Sequence, residues 1–339
     1  MKFNVLINSR SHPEGLITTC MYLAHTAQDI TNIKFSIRAD LDDVDTIVAA
    51  QRLSNYMNVS LSYGPRPRSM GAEHNHMAKN TPADVAYLVM NDTLFPCSIV
   101  KSAPSPEHPT AEVSMGWWDT FLEKVIEEHV DREMSIFCWH LTAGKTGDYP
   151  IITKKWYDAA GFIFPEYFPF WFDDQWLMAL HCMVHKSTFA RIEPLLVHAP
   201  KSFVQRMRNN MVWVEFYQSM EAERIAQASK IRAAMGMDPI VPQDNIDIVR
   251  GYEARFHSEF AEKETRLGDK REPDSSYLAA LEFAINTIEQ KKANNEPTFY
   301  EGFKEQEPVQ PKRRAKRQNK VGRGKSNKRR PNVRRVRKA

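Results

Sequence analysis

The chain of 339 residues is 42% hydrophobic and 11% aromatic, an ordinary composition for a soluble protein with a full hydrophobic core. Its formal net charge of +4 is unevenly distributed: the 15 Lys and Arg residues from position 308 onward, a stretch without acids, leave 31 basic and 42 acidic residues before it. No apolar run suits a signal peptide or a membrane span, and the four cysteines lack the spacing of a zinc site. We therefore expect a cytoplasmic protein with reduced thiols, built as an acidic globular body with a basic tail.

Strands alternate with helices at the start of the chain. The predicted elements are strands at residues 3–7, 33–40 and 59–63 and helices at residues 16–27 and 46–56. Polar residues follow the strands: Ser9 and Arg10 come after the first, while Asp40 and Asp42 close the second. The alternation predicts an α/β fold with a parallel sheet covered by helices, which is typical of nucleotide-binding domains and of other α/β domains.

The fourth predicted strand is the most apolar segment of this region. Six apolar residues, Val85–Met90, run without a break and end at Asn91 and Asp92. Such a run predicts a strand buried on both faces, and ligands of open α/β sheets bind outside the carboxyl ends of the strands. Asp92 is therefore either a ligand to Mg²⁺ or Mn²⁺ or a cap on the next turn, because Asp and Asn also favour turns.

A second informative segment contains two adjacent carboxylates. Asp173 and Asp174 follow a dense aromatic run and open a predicted helix that continues to about His185. Carboxylates at a helix N-terminus are favoured by the helix macrodipole, so a capping role is one interpretation. The other is a general base, because apolar surroundings and a second carboxylate raise a carboxyl pKa toward the working range.

The order and spacing of several segments resemble the GT-A fold glycosyltransferases of the large inverting family-two group and their viral relatives. The segments are Asn8–Pro13, Asp40 with Asp42, Asn91–Thr93, Pro150–Trp156 and Phe172–Asp174. The resemblance covers residues 1–200. It implies a GT-A-type nucleotide-binding fold with a mostly parallel central sheet, and transfer of a sugar from a nucleotide-sugar donor to an acceptor hydroxyl with inversion.

The resemblance also implies roles for individual residues. The implied contacts to the nucleotide sugar are Ser9, Arg10, Asp40, Asp42, Asn91 and Asp92. Asp174 occupies the position of the general base, next to Asp173. On the loop before Gly71, Arg66 or Arg68 is a further candidate for the phosphates, although an exposed loop arginine more often only interacts with solvent.

The metal-binding motif departs from the usual pattern of this group. Asn91-Asp92-Thr93 stands in the place of an Asp-x-Asp motif and offers one carboxylate instead of two. Mn²⁺ and Mg²⁺ are commonly held by one or two carboxylates with phosphates and water, so a divalent cation is compatible with Asp92. His198, which follows the helix that Asp174 opens, is a candidate second ligand or a structural residue.

The character of the chain changes after residue 200. The predicted helices of this helical extension, residues 201–293, are 203–235, 244–267 and 275–293. The extension either packs on the first domain as an appendage, shapes the acceptor site or mediates self-association. Residues 294–311 are polar and contain proline, which predicts a linker.

The tail, residues 312–339, has no core-forming pattern and is expected to be disordered. Its candidate nucleic-acid-binding residues are Lys312, Arg313, Arg314, Lys316, Arg317, Lys328, Arg329 and Arg330. Such blocks bind polyanions by releasing counterions, without reading sequence. The alternative for the tail is a purely solubilising role.

Two classes of function follow. The first is a glycosyltransferase, including a version held on DNA that modifies hydroxylated bases. The second is a catalytically inactive nucleic-acid-binding protein built on a GT-A-like domain. Hydrolysis or transfer of a donor sugar in the presence of Mn²⁺ distinguishes the two classes.

Overall fold

The structure is a computed structural model in which strands and helices alternate along the first part of the chain. The described residues are 2–66, 69–92, 94–101, 113–115, 117–128, 136–139, 149–169, 172–186, 190–192, 194–198, 210–264 and 275–296. The strands are β1 (Phe3–Ser9), β2 (Ile33–Asp40), β3 (Val59–Gly64), β4 (Ala86–Asn91), β5 (Leu94–Lys101), β6 (Val113–Met115), β7 (Ile136–Trp139), β8 (Pro150–Thr153), β9 (Ala190–Ile192) and β10 (Pro194–His198). The helices are α1 (Pro13–His25), α2 (Val44–Leu53), α3 (Met70–Asn80), α4 (Trp118–Glu128), α5 (Lys154–Ala160), α6 (Asp173–His185), α7 (Asn210–Ser219), α8 (Glu221–Ala234), α9 (Gln243–Glu264) and α10 (Ser275–Ala293).

A seven-stranded sheet with the order β3-β2-β1-β4-β8-β7-β9 forms the centre of the protein. β1 is parallel to both β2 and β4, and β2 is parallel to β3. β8 is antiparallel to β4 and to β7, whereas β7 is parallel to β9, so β8 alone points the other way among these seven strands. A smaller antiparallel sheet contains β10, β5 and β6. The predicted α/β class with a mostly parallel central sheet is confirmed.

Alternate residues of the central strands enter two hydrophobic clusters, one on each face of the sheet. In β4, Leu88 packs in the cluster of Leu16 from α1, whereas Tyr87 packs in the cluster of Trp156 from α5. Successive side chains of a strand point to opposite faces, so both faces of β4 are covered. The predicted burial of this strand on both faces is confirmed for Ala86–Met90.

The helical part of the chain differs from its prediction at one position. The single helix expected from Phe203 to Met235 is wrong, because the described part of this segment contains two helices, α7 and α8. The break lies near Met220, where Arg224 folds back and donates from Nη1 to the main-chain oxygen of Tyr217. In a continuous helix, the Tyr217 oxygen would accept a hydrogen bond from the N–H group four residues later. α9 is close to its expected range, and α10 has its expected bounds.

Helices α8 and α9 pack on α6, Tyr217 of α7 contacts Trp176 and Gln175 of α6, and α10 packs on α7. Trp213 and Ile231 belong to the same hydrophobic cluster as Trp176. At the end of α6, Arg232 donates from Nη1 to the oxygen of Val184 at 3.0 Å, which pairs a carbonyl that the helix itself leaves free. Met1–Tyr300 forms one compact unit.

Several predictions concern residues outside the described part. The boundary expected at residue 200 lies in the undescribed stretch 199–209 and stays a prediction, as do the linker beyond residue 296 and the tail. Cys20 and Cys182 are free and buried, in line with reduced thiols. Among the described residues, no helix has the length and hydropathy needed to cross a membrane.

Candidate active site

The carboxyl ends of β1 and β4 lie side by side, because these parallel strands pair as far as Asn8 and Asn91. Ser9 at the end of β1 donates from Oγ to Oδ2 of Asp92 at 2.8 Å. The Asp92 residue is 6% exposed, and Nδ1 of His12 lies 3.7 Å from its Oδ1. The structure therefore brings the turn after β1 and the acid after β4 together at one edge of the sheet.

The first turn of α1 approaches this edge at Gly15. A Cβ atom at position 15 would lie 2.0 Å from Cε1 of His12 and 2.3 Å from the main-chain oxygen of Asp92. Only glycine allows so close an approach of helix and strand end. Gly15 was not predicted as a site residue, although a glycine two residues after Pro13, directly before the predicted helix, could have indicated it.

Burial raises the pKa of Asp92, and the hydrogen bond from Ser9 and the nearby His12 oppose this effect. A carboxylate withdrawn from water is costly unless a cation or hydrogen-bond donors compensate its charge. Among the described residues, no group of three His, Cys, Asp or Glu side chains forms a metal cage. The site therefore fits a divalent cation that Asp92 shares with water and a bound phosphate group, and it does not resemble a cage of protein ligands alone.

Arg10 connects the ends of β1 and β2. Its guanidinium donates to Asp40, and it forms a forked pair with Asp42 at 2.7 and 2.9 Å. The hydrogen bond from Arg10 lowers the pKa of Asp42, and the charge of Arg66 lowers it further. Ser9, Arg10, Asp40, Asp42 and Arg66 therefore belong to the same edge as Asp92.

Asn91, also predicted as a donor contact, is joined to the neighbouring strand. Its Nδ2 donates to the Tyr149 hydroxyl at 2.7 Å. Tyr149 directly precedes β8 and has a φ angle of 65°, which is uncommon for a residue with a side chain. This contact fixes the start of the reversed strand against the end of β4.

A buried histidine that sequence reasoning missed lies beside the same edge. His74 in α3 is 1% exposed, and its Nδ1 lies 2.9 Å from the oxygen of Met70 and 3.4 Å from Nδ2 of Asn8. Burial lowers the pKa of His74 to about 4, so the ring is neutral at pH 7 and donates from Nδ1 to Met70. Its Nε2 is then an acceptor, and it has no hydrogen-bond partner within the described residues.

Asp173 and Asp174 form the first turn of α6, as predicted from the sequence. The residue before them, Phe172, has a φ angle of 71° and is buried. Asp173 is 7% exposed, and burial, followed by the charge of Asp174, raises its pKa well above the ordinary value. Oδ1 of Asp173 has no hydrogen-bond partner in the described part of the chain. Asp174 is half-buried and accepts a hydrogen bond from the N–H of Gln175 at 2.8 Å.

The contacts of α3 show which end of the sheet the first turn of α6 faces. α3 follows β3, so its first residues lie at the carboxyl edge. Gly71 there leaves no room for a Cβ, which would lie 2.1 Å from the oxygen of Pro165. One turn further along α3, Asn75 binds the main chain of Ile163 and Phe164. The segment between α5 and α6 therefore runs along α3 toward the carboxyl edge of the sheet.

α6 then runs from the carboxyl edge of the sheet toward its amino edge. Two turns after Asp174, the ring of His181 lies 5.8 Å from that of Trp156, and Trp156 is in the first turn of α5. α5 itself starts at the amino end of β4, where Lys154 donates from its N–H to Val85. From these contacts we infer that Asp173 and Asp174 lie at the edge that carries Asp92 and that α6 ends near the opposite edge.

His198, the candidate second metal ligand, is the last residue of β10. The register of the smaller sheet pairs it with Leu94, two residues after Asp92. Its main chain is therefore near the end of β4, while its side chain lies outside the described part. Arg68 and the eight basic tail residues named above also lie outside it.

Comparisons with known proteins gave matches to solved structures alone. No family model matches the chain, and a search of curated proteins found no match. Mannosyltransferase PcManGT from Pyrobaculum calidifontis, in complex with GDP-Man and Mn²⁺, is 11% identical, with 87% of this chain and 88% of that chain covered and a TM-score of 0.47. S. aureus TarS 1–349 in complex with UDP-GlcNAc is 13% identical, with 91% and 98% covered and a TM-score of 0.48.

Glucosyl-3-phosphoglycerate synthase from Mycobacterium tuberculosis, in complex with Mn²⁺, UDP and phosphoglyceric acid, is 8% identical, with 70% and 79% covered and a TM-score of 0.40. At such identities and TM-scores, the function has to be inferred from the residues of this chain.

Proposed function

We propose that the protein is a glycosyltransferase that moves a sugar from a nucleotide-sugar donor to an acceptor hydroxyl with inversion. The inference that supports this most, drawn from the contacts of α3, α5 and α6, is that two acidic groups lie at one sheet edge. One group contains Asp92 with Ser9 and His12, and the other is the Asp173–Asp174 turn of α6. Ligands of open α/β sheets bind at this edge.

The nucleoside part of the donor binds at the ends of β1 and β2. Asp40 and Asp42 supply acceptors for base and ribose hydrogen-bond donors, and Arg10 holds both carboxylates in position. Arg66 lies close enough for its charge to lower the pKa of Asp42, and it faces the phosphates of the bound donor. Asn91, which donates a hydrogen bond to the Tyr149 hydroxyl, forms the base of the site.

The diphosphate lies against Asp92. Asp92, and His198 from the end of β10, would hold a divalent cation, which supplies charge compensation for the leaving diphosphate when bound. Ser9 orients the Asp92 carboxylate through Oδ2 and leaves Oδ1 directed toward His12. Gly15 lets the first turn of α1 approach the strand end.

Asp174 is the general base of the proposed reaction. Its carboxylate accepts the proton of the acceptor hydroxyl while that oxygen attacks the anomeric carbon. The bond between the anomeric carbon and the diphosphate oxygen breaks, and the nucleoside diphosphate leaves with the electron pair. Burial and the charge of Asp174 raise the pKa of Asp173, which disfavours a second negative charge beside the base.

The basic tail supports a narrower version of the proposal. Fifteen positive charges without acids bind polyanions, so we propose that the enzyme acts on or near nucleic acid, with DNA bases carrying hydroxyl groups as one acceptor class. The alternative is a nucleic-acid-binding protein that has lost catalysis. Removal of residues 312–339 should abolish polyanion binding while donor hydrolysis persists.

A thermal-shift panel of nucleoside diphosphates, each with Mn²⁺ or with a chelator, tests donor binding first. The nucleotide that stabilises the protein then identifies the donor sugars to use in a hydrolysis assay. Turnover in the wild type, lost in Asp174→Asn while nucleotide binding persists, supports the proposal. Binding without turnover of any matching donor or acceptor would favour the inactive alternative, and no nucleotide binding would refute both the donor site and the reaction.

A further inference from the structure

A concave site of about 550 Å³ lies on the α3 side of the sheet, separate from the residues assigned to donor and base. It is bounded by α3, α5, the segment after α5 and α8. Lining residues that bear on its chemistry are Asn75, Lys79, Tyr157, Phe162, Tyr167 and Gln227. This volume is within the range of small-molecule sites in proteins.

Its walls present aromatic rings in fixed positions. The Tyr157 ring packs on Tyr87 with ring centroids 4.8 Å apart, and the Tyr167 ring packs on Trp176 at 5.3 Å. Both tyrosines are half-buried, and burial raises their pKa, so their hydroxyls remain hydrogen-bond donors at neutral pH. Aromatic faces next to hydroxyl groups suit a ligand with an apolar face and a polar perimeter.

The polar side chains of the site are held by contacts behind it. Asn75 uses its oxygen for two main-chain N–H groups and its Nδ2 for the oxygen of Phe164 and for Glu166 at 3.0 Å. Oε1 of Gln227 accepts from the indole of Trp176 at 2.8 Å, which leaves its amide NH₂ group for a ligand. A site whose polar groups are already oriented loses little entropy when a ligand binds.

Two lysines flank the site, and the acids near it are already bound: Asp158 by Lys154, Glu223 by Lys291 and Glu166 by Asn75. Lys79 is exposed on its lining, and the Nζ atom of Lys230 lies 3.7 Å from the position that a Cβ of Gly161 would occupy on the opposite rim. Within the described part of the chain, neither ammonium group is paired with a carboxylate. Glu166 is the acid on the lining. Most of the available groups are therefore donors or positive charges, which select an oxygen-rich, anionic ligand.

We propose that this concavity binds a sugar ring that carries a phosphate or carboxylate group. The ring stacks on Tyr157 and Tyr167, its hydroxyls meet Gln227 and Glu166, and its acid group lies between Lys79 and Lys230. The shared chemistry is that of a free sugar acid and of one unit of an acidic polysaccharide. The site is independent of the proposed reaction at the sheet edge.

Binding of glucose 6-phosphate to the full chain, measured by calorimetry and by shifts of tyrosine ring resonances, tests the proposal. The double variant Lys79→Gln/Lys230→Gln should weaken binding about fivefold or more, since two exposed charge pairs are lost. Lys34→Gln, on β2 and away from the cavity, is the matched control and should bind like the wild type. Asp92→Ala should also leave binding unchanged, so that a failed donor site does not affect the result.

Two comparisons identify the ligand and its source. Glucose 6-phosphate should bind more tightly than inorganic phosphate, because the ring adds stacking, and a heparin oligosaccharide should compete with it if the natural source is a polymer. Without competition by heparin, the proposal holds for free sugar acids. Absence of binding at millimolar concentration, equal affinity in the double variant, or tighter binding of phenyl phosphate than of glucose 6-phosphate would overturn the proposal.

Discussion

Replacing Glu253 by Gln should destabilise the protein strongly, because the Arg224 guanidinium would remain charged and buried without its counter-charge. The side chains of Arg224 and Glu253 are 0% and 1% exposed, with Nη2 and Oε1 3.3 Å apart. Arg224 cannot easily move into solvent, since its Cζ lies 3.9 Å from the Tyr217 ring centroid and Nη1 donates to the Tyr217 oxygen. Breaking a buried pair by removing one charge costs roughly 3–5 kcal/mol, so we expect a loss of at least about 3 kcal/mol.

Urea denaturation followed by tryptophan fluorescence measures this loss. The matched control is Glu221→Gln, which removes one of the carboxylates paired with Arg250, a residue whose side chain is 40% exposed. That change should cost no more than about 1 kcal/mol. Equal, small losses in both variants would refute the reasoning, because they would mean that water reaches the Arg224 guanidinium. The double variant Arg224→Met/Glu253→Leu should recover most of the stability lost in Glu253→Gln.

Three further predictions concern the sheet edge and the first turn of α6. Gly15→Ala should lower the free energy of unfolding by roughly 1–3 kcal/mol and weaken nucleoside diphosphate binding, because the new Cβ would collide with the main chain of Asp92. The control is Gly251→Ala, in open space on α9, which should leave binding unchanged. Equal effects of the two variants in calorimetry would contradict the close approach of α1 and β4. Asp173→Asn should stabilise the protein at pH 7, because the raised pKa of Asp173 means that ionisation of the buried carboxyl opposes folding as pH rises. In melting curves this gain should vanish below about pH 4, where the carboxyl is protonated in both states, and a gain that does not depend on pH would contradict the assignment. Tyr217→Phe removes the hydrogen bond to the Gln175 oxygen and should lower the free energy of unfolding by about 1 kcal/mol. It should also change kcat by a larger factor than KM. Tyr252→Phe, on the surface, should change neither the stability nor kcat.

The α/β part of the fold was predictable because its strands are simple in sequence. β4 is an unbroken apolar run since both of its faces are covered, and β2 ends in Asp40, which is buried and bound by Arg10 at the carboxyl edge of the sheet. The reversed direction of β8 and the order of the strands were not predictable from such patterns, because they depend on pairing between distant segments. The break near Met220 depends on the Arg224 side chain folding back onto the main chain, a contact that periodicity does not reveal.

The candidate site was predictable where polar residues follow strands or open a helix. Asp92 and Asp174 were predicted on that basis, whereas the roles of Ser9 and Asp40 came from the resemblance to GT-A glycosyltransferases. His74 and Gly15 were missed, because their roles arise from burial and from a close approach between α1 and β4, which become visible only in three dimensions. The raised pKa of Asp173 likewise depends on its burial within the aromatic cluster around Phe172.

The measurement that tests the central claim most directly is paramagnetic broadening of amide resonances by Mn²⁺ bound with a nucleoside diphosphate. If the two acidic groups share one site, the amides of Asp173 and Asp174 should broaden together with those of Ser9 and Asp92, while those of α10 stay sharp. Asp92→Ala should abolish both effects. Broadening at Ser9 and Asp92 with sharp Asp173 and Asp174 amides would contradict the account, because the general base would then lie away from the donor.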